Sequence, residues 1–288
     1  MFAYYLVLLA RDLIAAAGAA PARSCGKILG RLAWRLDRRH RRIALQNLRL
    51  AFPGRSPSWC RKIGRESFAW MGFNLVEFLR TPKLAGQDLS GLFRFQGWEA
   101  VKRARARGKG IIFVTFHFGN WEYLGFVPRF FNFPAAVVTQ EIKNPALDGL
   151  VSEIREMMGV EILPKTESSA TLLNLLRRNG AVAIVADQRA RKMGLEVEFL
   201  WRPAATTSAP AILALRSRAA LIPVFIAFDG KDGYQVNFED EIEVPGGLSR
   251  SETIKEITIR INRVLEKRIM VAPELWMWGH RRWLNPGK

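Results

Sequence analysis

The sequence is poor in cysteine, histidine and acid. Cys25 and Cys60 are its two cysteines; they form no CxxC pair, which argues against a disulfide framework or a cysteine-rich zinc site. His40, His117 and His280 are too dispersed to read as a metal cluster, so no metal is expected. An uninterrupted apolar run of about 20 residues, the length that spans a bilayer, is also missing. The opening MFAYYLVLLA stops at Arg11-Asp12 before LIAAAGAA resumes, and each charge at a bilayer centre costs roughly 2.5–3.5 kcal/mol. Residues 1–22 therefore read as an apolar anchor that lies on a membrane or marginally spans it; the alternative is a buried first helix. A signal peptide is disfavoured, because no basic leader precedes the apolar stretch and the charged pair falls inside it. Internal repeats and low-complexity segments are lacking as well.

Against 26 acidic residues stand 44 lysines and arginines, a net charge of +18. Such an excess points to anionic partners: nucleic acid, anionic lipid or an acidic carrier protein. Nucleic acid is the weakest of these, since no zinc-finger spacing, RNP-like aromatic motif or isolated basic tail is present. At 288 residues, a folded chain buries about three quarters of its unfolded surface, so a substantial core is expected.

Residues 23–49 interleave nine basic residues with Leu29, Leu32, Leu36, Ile43, Leu45 and Leu48, a basic amphipathic stretch suited to an anionic surface. Phe52-Pro53-Gly54 breaks it, and Ser56 or Ser58 is placed to cap a helix running from Trp59 to Arg80. That helix is apolar over more than one stripe, so it is expected either to be buried or to meet lipid. From Phe93 onward the texture alternates. Strands are expected at Phe93–Phe95, Gly110–Phe116, Ala135–Thr139, Val160–Leu163, Ala181–Ala186, Ala220–Phe228 and Tyr234–Phe238, with room for helices between most of them. This is α/β order with a mainly parallel central sheet flanked by helices. The loop Asp229–Gly233 joins the last two strands as a hairpin, so one edge of the sheet is expected to be antiparallel. Ser249 and Glu252 form a capping box for the final helix. The reading divides the chain into 1–22 (anchor or interfacial helix), 23–92 (basic helical region) and 93–288 (α/β catalytic region), the last two forming one folded unit.

Chemistry concentrates in Ile111–Glu122, IIFVTFHFGNWE. A buried strand ends in His117, Gly119-Asn120 turns the chain, and Glu122 follows in a new helix. Ligands of open α/β sheets collect at the carboxyl ends of strands, where this order places the imidazole. Histidine titrates near working pH and can take a hydroxyl proton while a carbonyl is attacked. A carboxylate on its other nitrogen would fix the tautomer, and Glu122 is the carboxylate expected in that role. Gly119 and Asn120 are expected to supply turn geometry and backbone donors to substrate.

The string H-F-G-N-W-E resembles the H-x4-D/E signature of glycerolipid and lipid A acyltransferases, and its form is similar to that of the late acyltransferases of lipid A biosynthesis in particular. Further blocks resemble that family in order: Arg41–Pro53, then Asn144-Pro145 with Leu147, Asp148, Arg155 and Gly159. Asp187-Gln188, Pro203–Thr207, Pro223–Phe225 and His280–Trp283 complete the set. The resemblance implies a glycerolipid-acyltransferase-like fold on the cytoplasmic face of a bacterial inner membrane. It also implies an acyl carrier protein thioester (or CoA thioester) as co-substrate without other cofactor, and a hydroxyl of a phosphorylated glucosamine lipid as acceptor. Arg155 becomes a candidate for stabilising an oxyanion or contacting phosphate, with a surface ion pair to Glu153 or Glu156 as alternative. Asp187 either orients substrate or caps its loop. Trp70, Phe73, Phe118 and Trp121 are candidate walls of an acyl channel. The chain departs from the family at Gln140-Glu141, at Arg189-Ala190-Arg191-Lys192 and at Phe199–Arg202, which leaves other acceptors open: a phosphoglycolipid, a lysophospholipid or an aminolipid. A lipid-binding membrane protein without catalysis is the non-enzymatic alternative.

Overall fold

A computed structural model describes residues 2–167, 169–190 and 194–283. Four helices open the chain: α1 (Phe2–Ala16), α2 (Ala19–Leu36), α3 (Arg38–Ala51) and α4 (Pro57–Ala85). The basic stretch is thus shared between two helices, α2 and α3. Asp37 separates them because its carboxylate accepts the His40 amide (3.0 Å) and caps a new helix. Ser56 caps α4 through the Trp59 amide (3.2 Å). The helix then runs past the expected end at Arg80, through Pro82, to Ala85. Helices α2 and α4 meet backbone to backbone: a Cβ on Gly30 would lie 2.0 Å from the Phe68 carbonyl oxygen, and one on Gly72 would lie 2.1 Å from that of Gly26.

The sheet comprises β1 (Phe93–Gln96), β2 (Ile111–Thr115), β3 (Ala135–Thr139), β4 (Glu161–Pro164), β5 (Ala181–Val185), β8 (Ala220–Phe228) and β9 (Tyr234–Phe238), in the order β1-β9-β8-β2-β5-β3-β4. All neighbours are parallel except β8 and β9. The antiparallel pair lies inside the sheet, because β1 adds in parallel outside β9. A separate hairpin pairs β6 (Gly194–Phe199) with β7 (Arg202–Thr207). It was not expected from the sequence, whose turn signal is absent: Leu200 (φ 46°) and Trp201 (φ 67°) occupy left-handed positions that Asn or Gly normally fill.

Strand β2 is buried on both faces, as parallel central strands are. Ile112 and Val114 enter one core together with α3, with α8 (Ser169–Arg177), α9 (Ala209–Ser217) and α10 (Arg250–Val271), and with the C-terminal tryptophans. Ile111 and Phe113 enter the other with α1, with the second half of α4, and with α5 (Trp98–Ala106), α6 (Val127–Phe131) and α7 (Pro145–Glu156). A buried charged knot joins helices to sheet. Glu77, fully buried on α4, accepts bonds from Arg23 (3.3 Å), from Arg80 and from the Tyr234 hydroxyl, while the Tyr123 hydroxyl donates to its carbonyl (2.7 Å). Burial, and then the Glu77 charge, push both phenols well above their ordinary pKa. Helix α1 packs Tyr4, Val7, Leu8 and Ile14 inward and leaves Tyr5, Leu9 and Leu13 exposed. Among the described residues no helix is long and apolar enough to cross a membrane.

Candidate active site

Parallel β2 and β5 end side by side, Thr115 level with Val185, so the residues that follow them, His117 and Asp187, face each other at one sheet edge. The Asp187 carboxylate is fully buried and takes three donors. Oδ1 meets His117 Nδ1 at 2.8 Å; Oδ2 accepts the His117 amide (3.0 Å) and the indole N–H of buried Trp276 (2.7 Å). Burial disfavours this carboxylate's charge, but His117, His280 and Trp276 more than offset it and hold its pKa far below the usual range. For His117, burial disfavours the cation; the charge and hydrogen bond of Asp187, with Glu122 behind them, outweigh that and raise its pKa above the ordinary value. Proton on Nδ1 leaves Nε2 an acceptor, which takes an N–H of the Gln188 side-chain amide at 3.3 Å. His280 packs within 6.5 Å of the His117 ring with its own Nδ1 on the Met277 carbonyl (2.7 Å), and burial lowers its pKa.

The carboxylate expected on His117 was Glu122; the structure puts Asp187 there instead. The chain after Asn120 winds as a tight 3-10 helix, Trp121–Phe126, and Glu122 turns to Arg155 on α7. Two bonds, Nε to Oε2 at 2.9 Å and Nη2 to Oε1 at 2.8 Å, make that pair bidentate. Arg155 was expected to contact phosphate or to pair with Glu153 or Glu156. Its fork is committed to Glu122, and although burial works against its charge this partner raises its pKa. The backbone donors assigned to substrate are also spent: the Gly119 amide donates to the Leu275 carbonyl (3.0 Å) and the Asn120 amide to that of Ile226 (3.3 Å). Gly119 is required where it stands, with φ at +61° and an added Cβ 1.8 Å from the Ile226 oxygen.

A cavity of about 620 Å³ opens at His117 and curls over the carboxyl ends of the central strands. Leu124, Val127, Pro128 and Met158 wall its reach on one sheet face, and Leu172, Ile212 and Leu213 on the other. Of the proposed channel residues, Trp121 lines it, edge-on to His117 at 5.0 Å. The other three are packing residues: Phe118 lies against Phe225, while Trp70 and Phe73 lie against each other at the α2–α4 seam under Lys27. Sequence reading missed Trp276. Its place in a tryptophan-rich segment before His280 was visible, but nothing in that pattern shows the indole reaching back 89 positions.

The chain matches the family of bacterial lipid A biosynthesis acyltransferases over residues 1–285. It is 31% identical to a lipid A biosynthesis lauroyltransferase of Escherichia coli (strain K12), over 90% of this chain and 83% of that protein. A palmitoleoyltransferase of lipid A biosynthesis from the same strain is 26% identical over 89% and 83%. A phosphatidylinositol mannoside acyltransferase of Mycobacterium tuberculosis (strain CDC 1551 / Oshkosh) is 28% identical over 65% and 59%. With the whole chain matched and a relative above 30% identity, the protein belongs to the bacterial lipid A biosynthesis acyltransferase family.

Proposed function

We propose that this protein transfers a fatty acyl chain from an acyl carrier protein thioester to a hydroxyl of a lipid A precursor or a similar glycolipid, at the cytoplasmic surface of a bacterial inner membrane. The observation that carries this reading is the His117–Asp187 pair at the mouth of an apolar cavity. The acceptor hydroxyl gives its proton to Nε2 as its oxygen attacks the thioester carbonyl. Asp187 holds the Nδ1–H tautomer and stabilises the imidazolium. The tetrahedral oxyanion collapses with loss of the thiolate, which takes the proton back from Nε2 and leaves as thiol. Glu122 and Arg155 tie the turn to α7 and so set the width of the cavity beside His117.

Two surfaces support the membrane and carrier assignments. Tyr5, Leu9 and Leu13 on α1 and Ile28, Leu29, Leu32 and Leu36 on α2 are apolar and exposed, and α3 exposes Arg38, Arg39, Arg42 and Arg49. Apolar side chains with arginines suit an anionic lipid interface. A net charge of +18 complements an acidic carrier. The test is acyl transfer by purified protein supplied with acyl carrier thioester and a glucosamine-lipid acceptor. Wild type should form the ester, and His117→Ala should lose at least ~10³ of the rate through removal of its general base; unchanged turnover in the variant would refute the mechanism.

A further inference from the structure

The cavity carries more positive charge than the acyl-transfer site uses. Its charged lining comprises Arg155, Lys165, Arg189, Arg216 and Glu122. Glu122 neutralises Arg155, which leaves three cations without a carboxylate in the lining. Lys165 follows β4, Arg189 follows Asp187 by two residues, and Arg216 sits in the last turn of α9. Among the described residues Arg216 bonds to a neutral group, the Ser169 hydroxyl at 3.2 Å, and to no carboxylate. The Nε of Arg189 is buried without a hydrogen-bond partner among the described residues. Glu167, close in sequence, accepts from Thr171 at 3.0 Å and is not part of the lining. A buried guanidinium N–H left unpaired is costly, and three like charges around one cavity are costly too unless an anion completes them.

We propose that Lys165, Arg189 and Arg216 form a phosphate-binding subsite in the cavity, beside the arm walled by Leu172 and Ile212. This rests on the acyl-transfer reading for which substrate enters. The acyl thioester is neutral at its reacting end, so the anion is a phosphate elsewhere on a substrate: a phosphate on the glycolipid acceptor or the phosphodiester of the donor's pantetheine arm. Arginine forks match phosphate oxygens in pairs, and a phosphate group, as monoester or diester, offers acceptor oxygens on more than one side, which three converging donors can share better than the two oxygens of a carboxylate. Residues 191–193, which follow Arg189 in the chain, lie outside the described residues.

Binding to the intact protein tests this without turnover, using two probe pairs that differ by one phosphate: S-alkyl pantetheine 4′-phosphate against S-alkyl pantetheine, and N-acyl glucosamine 1-phosphate against N-acyl glucosamine. Wild type should bind the phosphorylated member of at least one pair at least ~10-fold more tightly, the worth of one charge-assisted bond or more. The pair that shows the preference names the source. Arg189→Gln/Arg216→Gln should reduce the preference to less than threefold, while the exposed, remote Arg250→Gln leaves it intact. No preference in wild type, a preference kept by the double variant, or an equal loss in Arg250→Gln would each overturn the proposal. Because no turnover is measured, these outcomes are independent of the His117→Ala result.

Discussion

Replacing Asp187 by asparagine is expected to invert the protonation of His117, the proposed general base, while barely changing the shape of the site. Two donors, the His117 amide and the Trp276 indole, converge on Oδ2, and one, His117 Nδ1–H, meets Oδ1. An asparagine has one oxygen for these positions. Placing its NH2 at the Oδ2 position would set it against two N–H groups that are fixed by backbone and ring, so the oxygen goes there and the NH2 faces Nδ1. His117 must then accept at Nδ1 and carry its proton on Nε2, the atom that should receive the hydroxyl proton. In a serine protease triad the same change costs about 10⁴ in kcat through the same tautomer, equivalent to ~5.5 kcal/mol of barrier. For this enzyme a loss of about 10³–10⁴ in kcat is expected by the same reasoning, with KM for the donor changed far less. Single-turnover ester formation followed by mass spectrometry, with the fold checked by circular dichroism, gives the answer. A folded Asp187→Asn enzyme within tenfold of wild type would show that Asp187 does not set the tautomer.

Glu122→Gln should shift the acid limb of the kcat/KM–pH profile to lower pH. Removing a negative charge near His117 and loosening Arg155 both disfavour the imidazolium, so the neutral base persists further into acid; an unmoved limb would refute this. In denaturant unfolding, Glu122→Gln and Arg155→Gln should each cost about 1.5–3 kcal/mol, the range for bonds to charged groups, and the double variant should cost less than their sum. Additive losses would mean that the pair is not coupled. Gly119→Ala should destabilise by about 2–4 kcal/mol, left-handed backbone and overpacking together, because its Cβ would fall 1.8 Å from the Ile226 oxygen; an unchanged urea midpoint would contradict the geometry. Trp276→Phe removes one of the three donors to Asp187 and leaves a cavity at a fully buried position, so it should lower kcat about tenfold and also lower the melting temperature, whereas full activity in the destabilised variant would make the indole a packing group only.

Periodicity carried most of the sheet. The seven strands expected from the sequence are present within a residue or so at each end, since buried runs such as Ile111–Phe116 are bounded by glycine or polar residues, here Gly110 and His117. The β6–β7 hairpin was illegible because Leu200 and Trp201 turn without glycine or asparagine, the Leu200 amide being held by Glu266 at 2.7 Å. His117 was legible from its place at a strand end. Its partner was not, because sequence proximity favoured Glu122 five positions on, whereas strand pairing brings Asp187 from 70 positions away. A parallel sheet makes such juxtapositions a matter of strand order, which no local pattern encodes.

That same distance explains why the blocks resembling the family are scattered. Asn47, in the first block, donates from its side-chain amide to the carbonyls of Trp278 (2.9 Å) and His280 (2.6 Å). Those bonds, with Ser67 on the Trp276 carbonyl (2.6 Å), fix the C-terminal segment that carries the indole onto Asp187. The same segment closes on the turn after His117: the Met277 amide donates to the His117 carbonyl (3.0 Å) and the Gly119 amide to that of Leu275. Fully buried Arg282, its pKa lowered to about 10 by burial, binds the Ala205 carbonyl (3.1 Å) and the Thr206 hydroxyl (2.6 Å), so the Pro203–Thr207 block is held by the last one. Asn144 caps α7 through the Ala146 amide (3.1 Å), and α7 presents Arg155 to Glu122. The spacing from His117 to Glu122 therefore measures the reach from a strand end to a neighbouring helix rather than from base to acid. Asp187, itself held by the C-terminal segment, orients the imidazole directly, whereas the Glu122–Arg155 pair fixes a wall of the cavity beside it.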